Sequence, residues 1–161
     1  MTAESTETTV ENENSEENSR SDASRGSLTW QPEGADFLLV WLVFLAEHGV
    51  SQDVTLNVGG SLVSGTIIKG AEYLDELAAT YSSAESNGPR DTLDGLARSV
   101  EEFKPLYNTE GLDLSNFKPH YIHLKSAFVL QASDSKLPTD NGFLWRGRLS
   151  AVDAFSLGRL G

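Results

Sequence analysis

The sequence predicts a mainly β, α+β domain. The expected fold is a small, strongly bent, five-stranded open barrel with an N-terminal helix and a helical insertion between strands 2 and 3. Three observations lead there. Residues 53–69 alternate apolar and polar side chains around a Gly59-Gly60 turn. Residues 121–131 and 143–157 return to strand patterns after a long, differently composed stretch. One unbroken apolar run, Phe37 to Ala46, precedes them all.

That first run lies in ADFLLVWLVFLAEH, residues 35–48, closed by Gly49. Asp36 and His48 suit the two ends of a helix, an acid against its positive pole and a histidine against its negative one. The apolar run is about 15 Å long as a helix, half a bilayer's hydrocarbon thickness, so it does not span a membrane. It has no polar face: Phe37, Trp41 and Phe44 lie on one side, Leu38, Leu42 and Leu45 on another, Leu39 and Val43 on a third. Such a helix needs partners all round, and a small sheet covers only one side. Association through the uncovered side is the expectation.

Asp53 to Val58 and Ser61 to Lys69 form a hairpin, because β-branched residues alternate with polar ones around adjacent glycines. Gly65 inside the second strand marks a bulge or sharp bend. From Gly70 the period changes. Tyr73, Leu74, Leu77, Ala78 and Tyr81 recur at helical spacing, Asn87-Gly88-Pro89 interrupts, and Asp91 is placed to cap a second helix with Leu93, Leu96, Val100 and Phe103 on one stripe. Leu106 to Pro119 reads as an irregular connection. Tyr121 to Gln131 is a strand with Ile122, Leu124, Phe128 and Leu130 on one face and Tyr121, His123, Ala127 and Val129 on the other. Ser133 to Asn141 reads as a loop, Phe143 to Leu149 as a strand, Ser150 to Val152 as a turn and Ala154 to Leu157 as the last strand.

The domain so defined covers residues 28–161, with the insertion at about 70–119. Residues 1–27 consist mostly of Glu, Asn, Ser and Thr, with Val10 the one large apolar side chain after Met1. A segment of that composition buries too little surface to offset its ordering entropy, so a disordered acidic tail is expected. Residues 1–17 lack the basic and apolar regions of a secretory signal.

Of 161 residues none is cysteine, which excludes disulfides, thiolate nucleophiles and cysteine zinc sites. The net charge is −12. Residues 1–34 contribute −6, 35–118 contribute −8 and 119–161 contribute +2. A field of that sign repels nucleic-acid phosphate unless a local basic patch overcomes it.

Candidate chemistry is sparse. His120 and His123, three apart on a strand, point to opposite faces, and His48 lies elsewhere, so no convergent metal ligands are expected. Gly59-Gly60-Ser61 fits neither a nucleophile elbow nor a phosphate-cradling loop. The acid pairs Asp75-Glu76 and Glu101-Glu102 are adjacent on helices and diverge. No catalytic residue, metal or cofactor is expected. Arg146 and Arg148 share one strand face in the part of the chain with positive balance. Their plain reading is pairing with acids of the insertion. Their functional reading is a contact surface for an acidic partner or for a neighbouring subunit's acidic tail. With Phe37, Trp41 and Phe44 they make up the candidate protein-contact residues.

Two resemblances rest on these elements. The order of helix, strand, glycine turn, bent strand, IHLKSAFVL and LWRGRLSAVDAF resembles the Sm-like barrel, with Arg146-Gly147 ending the penultimate strand and Ala154 to Leu157 at the edge. Sm-like domains associate into rings through edge strands. The long insertion departs from that pattern, and the Asp-x-apolar-x-Asn loop of RNA-binding members is absent. At family level, VTLNVGGSLVSGTIIKGAEYLDEL, YIHLKSAFVLQ and PTDNGFLWRGRLSAVDAFSLG resemble gas vesicle accessory protein U. This implies a cytoplasmic, non-catalytic helper that acts with gas vesicle proteins, forms a homo-oligomer, and engages neither nucleic acid nor membrane. Binding of vesicles or their coat, with assembly or clustering through self-association, is the expected function. An Sm-like, RNA-associated binding module is the alternative.

Overall fold

A computed structural model describes residues 34–83, 87–130, 136–138 and 141–160. The expected acidic tail, 1–27, lies outside the described residues. Helix α1 spans Phe37–Glu47. Asp36 caps it, its carboxylate accepting from the amides of Leu38 at 2.8 Å and Leu39 at 3.1 Å. At the other end the His48 Nδ1 lies 2.8 Å from the Phe44 carbonyl. Both end residues therefore do what their position in the sequence suggests.

Strands β1 (Asp53–Val58) and β2 (Ser61–Ile67) form the expected antiparallel hairpin, Val58 facing Ser61 across the turn. Gly59 and Gly60 both have positive φ, 57° and 82°, the backbone a two-residue hairpin turn requires. Asn57 accepts from the Gly60 amide at 3.0 Å and Asp153 from the Gly59 amide at 2.8 Å, so the turn is also held from the far end of the chain.

The insertion comprises α2 (Gly70–Ser82), α3 (Arg90–Glu101) and a 3-10 turn (Lys104–Tyr107). The helix start expected at Asp91 lies earlier, with Pro89 at the cap position. Arg90 explains the early start: its guanidinium donates to the Ser83 carbonyl at the end of α2 and pairs with Asp94 at 3.3 Å. The expected apolar stripe also divides. Leu93 and Ala97 are buried against the fold, whereas Leu96 and Phe103 are 44% and 53% exposed.

Strand β3 (Tyr121–Leu130) pairs with β2, with a two-residue β4 (Lys136–Leu137) and with β5 (Phe143–Arg148). A 3-10 turn at Leu149–Ala151 leads to β6 (Ala154–Leu157), which pairs with β1. The sheet thus runs β6-β1-β2-β3, with β4 and β5 sharing the outer side of β3. The five expected strands are present, and residues read as a loop add a two-residue sixth, β4. The sheet is open, as expected, and not closed into a barrel: among the described residues it ends on β6 at one side and β5 at the other, and closure needs those two to pair.

One strand departs from simple alternation. Ser126 has φ +47°, and the register of β3 shifts there against both β2 and β5. The extra residue reverses the alternation, so Ala127 joins Ile122 and Leu124 in full burial, and Phe128 does not. The expected face assignment holds before Ser126 and inverts after it. Gly65 sits opposite the bulge, where a Cβ would lie 3.1 Å from the Ala127 Cα.

The core combines Leu39, Val40, Val43 and Ala46 of α1 with Val54, Leu56, Val63, Ile67, Ile122, Leu124 and Leu149. Where the sheet buries polar groups they are paired: Thr55 Oγ1 lies 3.0 Å from Ser64 Oγ, and the Leu160 amide donates to the same Ser64 oxygen at 3.1 Å. No helix among the described residues is long and apolar enough to cross a membrane.

Candidate functional site: two contact surfaces and a cleft

The first surface is the outer side of α1. Leu38 is 55% and Trp41 40% exposed, one turn apart on a helix whose Leu39, Val40, Leu42, Val43 and Ala46 line the core. Phe37 is half-buried beside them. Phe44, expected on the same contact face, is half-buried in ring contact with Phe117 at 5.5 Å and with His48 at 4.2 Å. Periodicity grouped Phe37, Trp41 and Phe44. It did not single out Leu38, because an all-apolar helix has no pattern that tells its outer side from its inner one.

The second surface surrounds Arg146 and Arg148 on β5. The register puts Arg146 opposite His123 and Arg148 opposite Tyr121. The Arg146 guanidinium stacks 3.9 Å over the Tyr121 ring and lies 3.4 Å from the Tyr107 hydroxyl. Three acids of the insertion are paired with other cations: Asp75 with Lys104 at 2.5 Å, Glu72 with Lys125 at 2.7 Å and Asp94 with Arg90 at 3.3 Å. Among the described residues neither Arg146 nor Arg148 pairs with a carboxylate, as the plain reading had required.

Behind Arg146 lies a buried polar group, His123, which the sequence pattern presents as a strand residue and as a metal ligand without convergent partners. His123 is 2% exposed, its Nε2 3.2 Å from the Tyr107 hydroxyl, between the rings of Tyr107 and Tyr73. Burial, assisted by the Arg146 charge, pushes its pKa down to about 4, so it is neutral near pH 7. His120, three residues earlier and just before the strand, is exposed.

Tyr107 reaches His123 because of a glycine. A Cβ on Gly70 would lie 1.9 Å from the Tyr107 ring, so only glycine lets the 3-10 turn close on the start of α2. The Gly70 amide in turn donates to Glu47 at 2.8 Å. Glu47 is buried, and burial pushes its carboxyl above the usual range against the opposing effects of that amide and Lys69. Between Glu47, Val43 and the 106–121 stretch opens a half-open cleft of about 310 Å³, with Lys118, His120 and Tyr121 on its wall. Its residues are scattered over an irregular connection, so no spacing in the sequence announced it.

The described residues thus present an exposed apolar helix side, a pair of arginines and a cleft with aromatic walls. The model of the family described as Gas vesicle protein GvpU-like matches residues 36–160. The chain belongs to this family. It is therefore a gas vesicle accessory protein, and the match spans α1, every strand of the sheet and the whole insertion. No curated protein and no solved structure matches the chain.

Proposed function

We propose that this GvpU-like chain is a non-catalytic, cytoplasmic helper that binds gas vesicles or their protein coat and promotes assembly or clustering through self-association. The observation that carries the proposal is the outer side of α1. Exposed Leu38 and Trp41 sit together on a helix that has already filled its share of the core, and leaving them in water is unfavourable by about 25 cal/mol per Å² of apolar surface. Phe37 and Phe44 flank this contact face. Among the described residues β5 and β6 are each paired on one side only, which supports strand-to-strand association as a second route. Arg146 and Arg148 supply the charged part of the contact surface. The acidity of residues 1–27 limits non-specific association of so adhesive a protein.

Sedimentation velocity over a concentration series, with co-sedimentation on purified vesicles, tests this. The wild-type chain is expected to form oligomers and to pellet with vesicles, and Trp41→Ser to weaken both without loss of fold. A chain that stays monomeric at high micromolar concentration removes the self-association, and one that stays in the supernatant removes the vesicle contact.

A further inference from the structure

We propose that the cleft beside α1 and the basic rim next to it form a binding site for an acidic peptide segment of a partner protein, a segment that carries one large apolar side chain. The proposal deepens the reading of Arg146 and Arg148 as a contact surface and rests on it.

Charge is the first argument. In a chain of net charge −12, the cations with acidic partners are found on the insertion and the middle of β3: Arg90, Lys104 and Lys125 each pair with a carboxylate, at 3.3, 2.5 and 2.7 Å. Lys118, Arg146 and Arg148 are all exposed, and among the described residues none of them makes such a pair. They converge on one side chain. Lys118 and Tyr121 line the same cleft, Arg146 stacks on Tyr121, and Arg148 faces Tyr121 across the strand register. Like charges gathered without counter-charges repel one another, so the cluster favours a ligand that brings carboxylates.

Of the acids beside the cleft, Glu110 makes no ion pair among the described residues, and the other two are engaged elsewhere. Glu47 is buried, its Oε1 held by the Gly70 amide. Asp113 is turned onto its own loop, accepting from the amides of Ser115 at 2.8 Å and Asn116 at 3.1 Å.

Shape is the second argument. A half-open space of about 310 Å³ is at the small end of ligand sites and fits one aromatic or branched side chain with its flanking backbone. Val43, Phe117 and Tyr121 give it apolar walls. Alongside runs β5, paired on its inner side with β3 and, among the described residues, open on its outer side. An extended peptide can add backbone hydrogen bonds there while its alternate side chains reach the arginines. A polynucleotide fits less well, because a few cations within a field of −12 do not hold a chain of phosphates.

The test is fluorescence anisotropy on the full chain with a labelled Glu-Glu-Leu-Trp-Glu-Glu peptide and its lysine-for-glutamate counterpart. The acidic peptide is expected to bind, the basic one not. Arg148→Glu and Lys118→Glu are each expected to weaken binding roughly tenfold, and Arg98→Glu, an exposed control on α3, to change it less than about twofold. Far-UV circular dichroism verifies that each variant is folded. Equal binding of both peptides, or binding untouched by both rim reversals, overturns the proposal. So does tighter binding of a labelled single-stranded oligoribonucleotide, or displacement of the peptide by unlabelled protein, which would make the occupant a second copy. Vesicle co-sedimentation run in parallel separates this site from the broader role. Vesicle binding without peptide binding removes the peptide site alone, and peptide binding without vesicle binding removes the vesicle role alone.

Discussion

The sheet with α1 and the inserted segment between β2 and β3 are held by different means. The sheet is a continuous apolar core, with Leu39, Val54, Leu56, Ile67, Ile122 and Leu124 all withdrawn from water. The insertion buries far fewer side chains, Leu74, Ala78, Leu93, Ala97 and Phe117, and is fastened by individual contacts. Those contacts are Glu47 to the Gly70 amide, Tyr107 to His123, Lys125 to Glu72 and Lys104 to Asp75. A core of this kind tolerates little loss of volume but does not depend on pH. Point contacts are individually weaker, and they rest on titratable groups, the buried Glu47 and His123 among them. The insertion is therefore the part whose attachment solution conditions can alter.

This contrast can be broken at either end. Leu56→Ala, at the centre of the hairpin with no exposure, is expected to cost about 4 kcal/mol through lost burial and a cavity. Urea unfolding should show it as a fall in midpoint for the whole described fold rather than for the insertion alone.

The next largest effect is acid sensitivity at His123. Its folded-state pKa, about 4, lies below the ordinary 6.5, so the unfolded chain takes up a proton that the folded chain refuses. Stability from this group is complete above pH 6.5 and declines as the pH falls to about 4, by up to about 3 kcal/mol. His123→Phe removes the titration, so the loss of urea stability between pH 7 and 4.5 should shrink in that variant. An equal loss in both proteins would exclude His123 as its source.

Gly70→Ala sharpens the comparison further. Its Cβ collides with the Tyr107 ring, so the 3-10 turn must shift, at a cost of about 1–2 kcal/mol. Hydrogen exchange is expected to rise around residues 104–107 and at the start of α2, leaving β1 and β2 protected. Smallest is Lys125→Met. Its ion pair with Glu72 is partly exposed and screened by salt, so the loss should stay below about 1 kcal/mol and fade at high ionic strength, as salt titration of thermal unfolding would report.

Legibility followed the same division. The hairpin, α1 with both its end residues, α2 and the last strand are evident from local rules, since turn glycines, caps and periodicity act over a few residues. The inversion in β3 is not, because Ser126 is an ordinary residue and its bulge exists to match the neighbouring strands. Nor is the start of α3, which depends on Arg90 reaching back to α2. Of the candidate contact residues, Trp41, Arg146 and Arg148 are exposed at recognisable positions, whereas the cleft joins Val43 and Glu47 of α1 to the irregular stretch that starts at Leu106, far along the chain.

By itself the sequence determined the α+β class, the order of the elements, the family resemblance and the uneven charge, because composition and short-range pattern carry each of these. Tertiary structure decided which side of an all-apolar helix meets water, which cations lack acidic partners, and where β3 inverts its faces. Each of these depends on what long-range packing places next to a residue, and a linear pattern holds no record of that neighbour.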